Sequence, residues 1–417
     1  MDSIVLMEDA HDAVLIEGFV GQCVEPTQLP KFTPESIHLL DSYALHRDTV
    51  VEIACKERSS GCYAGNDKNR QSVELKFGDF VDYYQASFTK ASHWLQTVDG
   101  LDFYLAQCPI AVFKPAATCT EAILPEIMND FLLPTCLQDK PVTQVNLWMT
   151  VRPGRTTLHY DAYHNILVVL YGKKTVTLYP PSETEKLYPF PVHTKSVNHS
   201  QVNIVQPDLE KHPRFPEAAA QRFEVAAGDA LVIPEGWWHQ VDSDEFTIAV
   251  NYWWNGVREQ LVANKRMVPY YTRVMLEELV KQQCEARLLA LQSTSEVCPA
   301  LHFEDESNAV AAFLATNDQA DRERVLMSLD SKDFVKTQQI LATDHVEEWR
   351  RLLANASVDV VAILTKCWEN DDLGPDFLGV VFGALGDDED TIKEQLVAKQ
   401  AQFRQDCATQ LYQSLFD

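Results

Sequence analysis

Residues 156–181 read TTLHYDAYHNILVVLYGKKTVTLYPP. Two runs in this stretch, NILVVLY and KTVTLY, are dominated by β-branched and aromatic residues, which fit a pleated surface better than a helix. Gly172 sits between them, so the pattern predicts a β-hairpin turning there. TTLHY, just upstream, reads as a further short strand. In an extended chain residues i and i+2 share a face, so His159 and Asp161 would present their side chains together.

Outward from this stretch the same signature repeats. QVNLWMTV (144–151), GDALVIP (228–234) and FTIAVNYWW (246–254) are short, apolar, and bounded by Gly, Pro, Asp or Asn. Many short strands with tight turns imply a closed or double-sheet β architecture such as a jelly roll, here placed at residues 101–256. Residues 1–100 read as a mixed α/β flank. A β-branched run at Thr49–Ile53 suggests a strand, SSGCYAGNDKNRQS (59–72) an exposed loop, and KFGDFVDYYQASF (76–88) a helix begun near Asp79. Residues 257–417 change to helical periodicity, as in VMLEELVKQQCEARLLALQ (274–292) and IKEQLVAKQAQFRQDCATQLYQSLF (392–416), with Gly374-Pro375 and Gly386 marking breaks. The fold class expected is therefore mainly β with α, closing on an all-α C-terminal region.

The 417 residues carry a formal net charge of −26. That excess disfavours nucleic acid as a partner, because binding phosphates needs clustered Lys and Arg. A basic peptide or protein fits better, although the charge could serve solubility alone. Ten Cys without a CxxC pair read as reduced thiols, and the acidic N-terminus lacks the charge pattern of a signal peptide. With no apolar run long enough for a membrane helix, the expected location is cytosol or nucleus.

The chemistry concentrates on three residues. His159, Asp161 and the distant His239 in GDALVIPEGWWHQV (228–241) make an H-x-D…H set. Two imidazoles and one carboxylate on one side of a metal, leaving positions open, is the facial arrangement of non-heme Fe(II) oxygenases. Such a site would take 2-oxoglutarate and then O2. The dianion's far carboxylate needs a buried counter-charge, and Lys174 can supply one from inside the barrel, Lys173 then pointing outward. A surface Lys174 at a turn is the alternative reading.

From Tyr104 to Trp254 the chain resembles the JmjC-type Fe(II)/2-oxoglutarate oxygenases, especially the factor-inhibiting-HIF-like protein hydroxylases. The words that carry it are FYLAQ, NLWMTV, TTLHYDAYHN, GKKTVTLYPP, LYPFPVH, SQVNIVQPDLEKHPRFPEA, GDALVIPEGWWH and VNYWW, in that order. The resemblance implies a double-stranded β-helix core, cupin-like, with helical flanks. It further implies that Tyr104, Thr156 and Lys174 hold the distal carboxylate of 2-oxoglutarate. Asn165 and Asn251 would stand beside its iron-chelating end, and Trp253 would face the substrate. Where the asparaginyl hydroxylase uses an Arg-Gln pair on its substrate, this chain has Asn198 and His199, so His199 becomes the substrate-side candidate and substrate identity does not transfer. The C-terminal amphipathic helices read most simply as a packed bundle; the resemblance implies a homodimer interface or partner surface there instead, as the helices that follow the barrel form in the resembling hydroxylases. Protein side-chain hydroxylation is the activity implied first. N-methyl-lysine demethylation, tRNA-base hydroxylation and a non-catalytic interaction role stand as alternatives.

Overall fold

The protein is described by a computed structural model covering residues 12–20, 33–59, 71–113, 121–130, 133–256, 263–296, 306–316, 318–329, 331–369, 373 and 375–416. The chain divides into two compact units, Met1–Phe190 with Lys195–Arg273, and Pro191–Thr194 with Val274–Asp417. The expected loop at 59–72 lies largely outside the described residues, as does Gly374.

Among the described residues the first unit holds twelve strands. They are β1 (Val14–Ile16), β2 (Val50–Glu57), β3 (Gln71–Lys76), β4 (Leu101–Val112), β5 (Val142–Thr150), β6 (Gly154–Arg155), β7 (His164–Tyr171), β8 (Lys173–Tyr179), β9 (Gln221–Ala226), β10 (Ala230–Ile233), β11 (Trp238–Ser243) and β12 (Thr247–Trp254). Eight form one sheet in the order β1-β10-β7-β12-β5-β4-β2-β3; four form a second in the order β6-β11-β8-β9. All pairings are antiparallel. Two facing sheets with a strand order this permuted form the cupin-like jelly roll.

Alternation along the strands sorts the core. On β5 and β12, Val145, Leu147, Met149, Val250, Tyr252 and Trp254 pack on the outer side of the large sheet, together with Phe77, Phe80 and Tyr84 of the helix Phe77–Thr89. That helix carries Asp79 in its first turn, where a carboxylate meets the positive helix end. On the opposite side Leu167, Val169, Val176, Leu178, Leu231 and Ala249 close together between the sheets.

The predicted hairpin is not one. β7 pairs with β10 and β12, whereas β8 pairs with β9 and β11, so the chain passes from one sheet to the other at Gly172. Gly172 has φ +76, and a Cβ there would fall 3.0 Å from the Thr247 Cα. Only glycine combines that left-handed conformation with that close approach. A second correction concerns TTLHY, which is no regular strand. His159 makes isolated bridges to His199 and to His239 and is otherwise irregular. A strand needs neighbours that run alongside it, and this segment meets its two neighbours one residue at a time.

The second unit is helical: it takes in most of Val268–Glu296, then Glu306–Ala315, Gln319–Met327, Ser331–Asp344, Val346–Asn355, Val358–Trp368, Pro375–Gly383 and Glu389–Phe416. Trp349, Leu352, Leu353, Leu364, Phe377 and Val381 form its core. Ser357 caps the helix Val358–Trp368 by accepting from the Val360 N–H, and Gly386, at φ +57, breaks the chain before the last helix.

Candidate metal centre and co-substrate pocket

His159, Asp161 and His239 converge, with one donor atom from each lying within 4.8 Å of the others. The two histidines are joined through their backbones: His159 N–H donates to the His239 carbonyl at 3.1 Å, and His239 N–H returns the bond at 2.7 Å. That closed pair brings the imidazole centroids to 4.3 Å. Each ring then uses Nδ1 in the same way. His159 Nδ1 lies 2.7 Å from the Thr157 carbonyl and His239 Nδ1 3.0 Å from the Trp237 carbonyl. A carbonyl can only accept, so both Nδ1 atoms carry a proton, and in the neutral form of each ring Nε2 keeps a bare lone pair. Those Nε2 atoms face the carboxylate of Asp161 at 3.7 and 3.5 Å. Burial, and then the neighbouring His159, lowers the His239 imidazolium to about 4, which keeps the ring neutral as a ligand must be. Two nitrogen lone pairs and one carboxylate on one side of a common point fit a divalent first-row metal with the remaining positions free.

His199 stacks on His159. Its ring lies nearly parallel to His159, 17° between planes at 5.3 Å, and its Nδ1 bonds Asn198 Oδ1 at 2.9 Å. Asn198 in turn donates to the Tyr160 carbonyl at 2.9 Å, fixing the pair against the segment that carries His159 and Asp161. Beside His159 and Asp161, Tyr160 meets Trp238 and Tyr270 edge-on. Tyr270 donates to Glu235 at 2.8 Å, beside the turn that leads into His239.

Lys174 points inward and Lys173 outward. Lys174 is 2% exposed, whereas Lys173 reaches Glu224 and Asp244 at the surface. The Lys174 ammonium donates to Ser243 Oγ at 2.7 Å, with the Tyr104 hydroxyl at 3.5 Å. Among the described residues no carboxylate pairs with it, and burial lowers its pKa to about 7. A buried cation facing only hydroxyls is matched to an anionic ligand. Burial also holds the Tyr104 phenol above its ordinary value, so it stays a hydrogen-bond donor. Thr156 is tied to β11: its hydroxyl accepts from Val241 N–H at 3.1 Å and its own N–H donates to the Val241 carbonyl at 3.0 Å.

Asn251 lies on β12, between β5 and β7. It donates to Asn165 Oδ1 at 3.2 Å and accepts from the Trp148 indole at 2.8 Å. Trp253, in register with Asn165 across the β7–β12 pair, stacks flat on Tyr163, 7° between planes at 5.3 Å. Ser243, Trp148 and Tyr163 were not singled out from sequence. Trp148 could have been, since it shares the inward face of β5 with residues two and four positions before it. Ser243 could not, because only the β8–β11 register sets it opposite Lys174.

Residues 14–260 match the family model described as Cupin-like domain. Lysine-specific demethylase JMJ31 of Arabidopsis thaliana is 33% identical over 256 residues, 57% of this chain and 46% of that protein. Lysine-specific demethylase 8 of Danio rerio is 31% identical over 257 residues, 59% of this chain and 54% of that protein. tRNA wybutosine-synthesizing protein 5 of Mus musculus is 42% identical over 97 residues, 23% of this chain and 29% of that protein. The chain thus spans about half or less of the length of these relatives.

Proposed function

This chain belongs to the cupin-like domain family in its JmjC form, and from that premise we propose that it is an Fe(II)- and 2-oxoglutarate-dependent oxygenase that hydroxylates a side chain of a protein. The observation that carries this reading is the pair of Nε2 lone pairs and the Asp161 carboxylate turned toward one point, with a buried, carboxylate-free Lys174 deeper in the same barrel. Iron with 2-oxoglutarate and O2 supplies the oxidising power for attack on a C–H bond.

The chain's own residues do the rest. His159, Asp161 and His239 hold the metal on one face. Lys174, steadied by Ser243 and Tyr104, neutralises the far carboxylate of the co-substrate, with Thr156 at its side. Asn165 and Asn251 offer amides next to the chelating end. The Tyr163–Trp253 stack and His199 shape the approach of the substrate. The acidic surface favours a basic peptide, drawn in over a range that salt shortens.

Lysine demethylation is the second reading, favoured by the names of two relatives. It begins with the same C–H oxidation and differs only in what the hydroxylated carbon does next. The separating experiment offers the iron-loaded protein a pool of basic peptides, methylated peptides and tRNA, and reads each by mass spectrometry. A peptide that gains one oxygen, and does not with Asp161→Ala, supports hydroxylation. Loss of methyl groups from lysine, or oxygen gained only on tRNA, would replace it by one of the alternatives. Turnover of nothing would leave an interaction protein.

The C-terminal helical region, residues 257–417, is assigned to self-association on the same resemblance, and light scattering of the full chain would test it. Among the described residues no helix is long and apolar enough to cross a membrane; cytosol or nucleus is the proposed location.

A further inference from the structure

A cavity of about 650 Å³ opens beside the small sheet, away from the three metal ligands. Its walls hold five cationic side chains, Lys56, Arg58, Arg152, Arg155 and Arg222, against three carboxylates. In a chain of net charge −26 that is a local inversion of sign.

The carboxylates do not cancel the cations. Asp102 is shared, bonding Lys56 Nζ at 3.0 Å and Arg58 Nε at 3.2 Å, so one negative charge serves two positive ones. Lys56 and Asp102 side chains are each 6% exposed, which makes this pair the dry floor of the cavity. Asp242 is taken by Arg155, and Asp244 lies 3.9 Å from Lys173. Arg152 and Arg222 make no ion pair among the described residues, and both stand at the exposed rim. A surplus of positive charge over a low-dielectric floor attracts an anion far more strongly than the same charges spread on an open surface.

From this geometry we infer that the cavity is a binding site for a small, multiply charged anion, of the phosphate or polycarboxylate type. Its volume suits a compact ligand. Guanidinium groups at the rim match either oxyanion through paired N–H donors. The site neighbours the co-substrate pocket: Ser243, which lines the cavity, also accepts the hydrogen bond from Lys174. It does not rest on the oxygenase reading, because its cations are none of the residues assigned to iron or to 2-oxoglutarate.

The test is calorimetric titration of the full chain, without iron or 2-oxoglutarate, using pyrophosphate and citrate as separate probes at low salt. The expected result is saturable binding of one equivalent of at least one probe, weakened tenfold or more in Arg152→Glu/Arg222→Glu and unchanged in Lys211→Glu, an exposed lysine outside the cavity. Whichever probe binds identifies the oxyanion class. Should the double variant lose its thermal transition, Arg222→Glu alone carries the comparison, with a threefold or greater loss expected. No saturation with either probe, or equal binding by the Lys211→Glu and cavity variants, would overturn the assignment. So would tRNA that binds more tightly than both probes and loses affinity with the same double variant, since the cavity would then belong to a nucleic-acid surface.

Discussion

Lys174 and Ser243 stand opposite one another in the β8–β11 register, and the ammonium of the first donates to the hydroxyl of the second at 2.7 Å. The bond crosses between neighbouring strands of the small sheet, so the lysine is held before any anion arrives. Replacing Lys174 by Ala should weaken 2-oxoglutarate binding by about 3–5 kcal/mol, the usual cost of breaking a buried charged pair. Lys173→Ala removes only surface contacts to Glu224 and Asp244, worth under about 1 kcal/mol. Titration of both variants with 2-oxoglutarate, Mn(II) standing in for iron, checks the ranking; the reverse order would refute the inward register.

The same lysine sets a pH dependence. Burial brings its ammonium from 10.5 to about 7 in the free chain. Between those values the unfolded chain holds a proton that the folded chain has released, so stability without ligand should rise with pH across that window. Binding of the dianion runs the other way, because it requires the ammonium. Affinity for 2-oxoglutarate should therefore fall roughly tenfold per unit above pH 7, with proton uptake on binding. Calorimetry in buffers of different ionisation enthalpy measures that proton, and Lys174→Ala should abolish it.

His159→Ala, Asp161→Ala and His239→Ala should each eliminate 2-oxoglutarate turnover while the chain still folds. Co(II) binding, read from its visible absorption, should fail in parallel and leave the far-UV spectrum unchanged. Turnover retained by Asp161→Ala would remove the carboxylate from the ligand set.

Gly236 has φ +75, and a Cβ there would fall 2.7 Å from the Tyr270 ring. Its N–H also donates to the Asp161 carbonyl at 3.0 Å, so one turn touches Asp161 and leads to His239. Gly236→Ala should cost about 1–3 kcal/mol of stability and lower Co(II) affinity. A thermal melt with normal Co(II) binding would show that the turn is structural only.

Local rules were legible in the sequence and pairing rules were not. The inward Lys174 and outward Lys173 followed from alternation, which holds whatever the partner strand. The hairpin at Gly172 failed because glycine between two β runs signals a turn equally well when the runs separate into different sheets. His159 and Asp161 come together as expected, yet through bridges to His199 and His239 rather than along a strand. The reason is long-range: both partners lie far along the chain, and no period reports them. The cationic cavity was invisible for the same cause. Its five cations come from β2 and the residue after it, the segment around β6, and β9, which lie far apart in the sequence, so a whole-chain count of charge could only report acid.

The carbonyl-held imidazoles have a consequence for which ion the protein carries. Their lone pairs are aimed before a metal enters, so little reorganisation distinguishes one divalent ion from another. Two nitrogens and a carboxylate then rank the first-row ions by intrinsic affinity, and iron stands low in that order, below cobalt, nickel and copper. For the proposed iron enzyme, occupancy is accordingly a matter of supply. Protein produced where zinc, nickel or cobalt is plentiful should emerge loaded with the wrong ion, folded and silent until it is stripped and refilled.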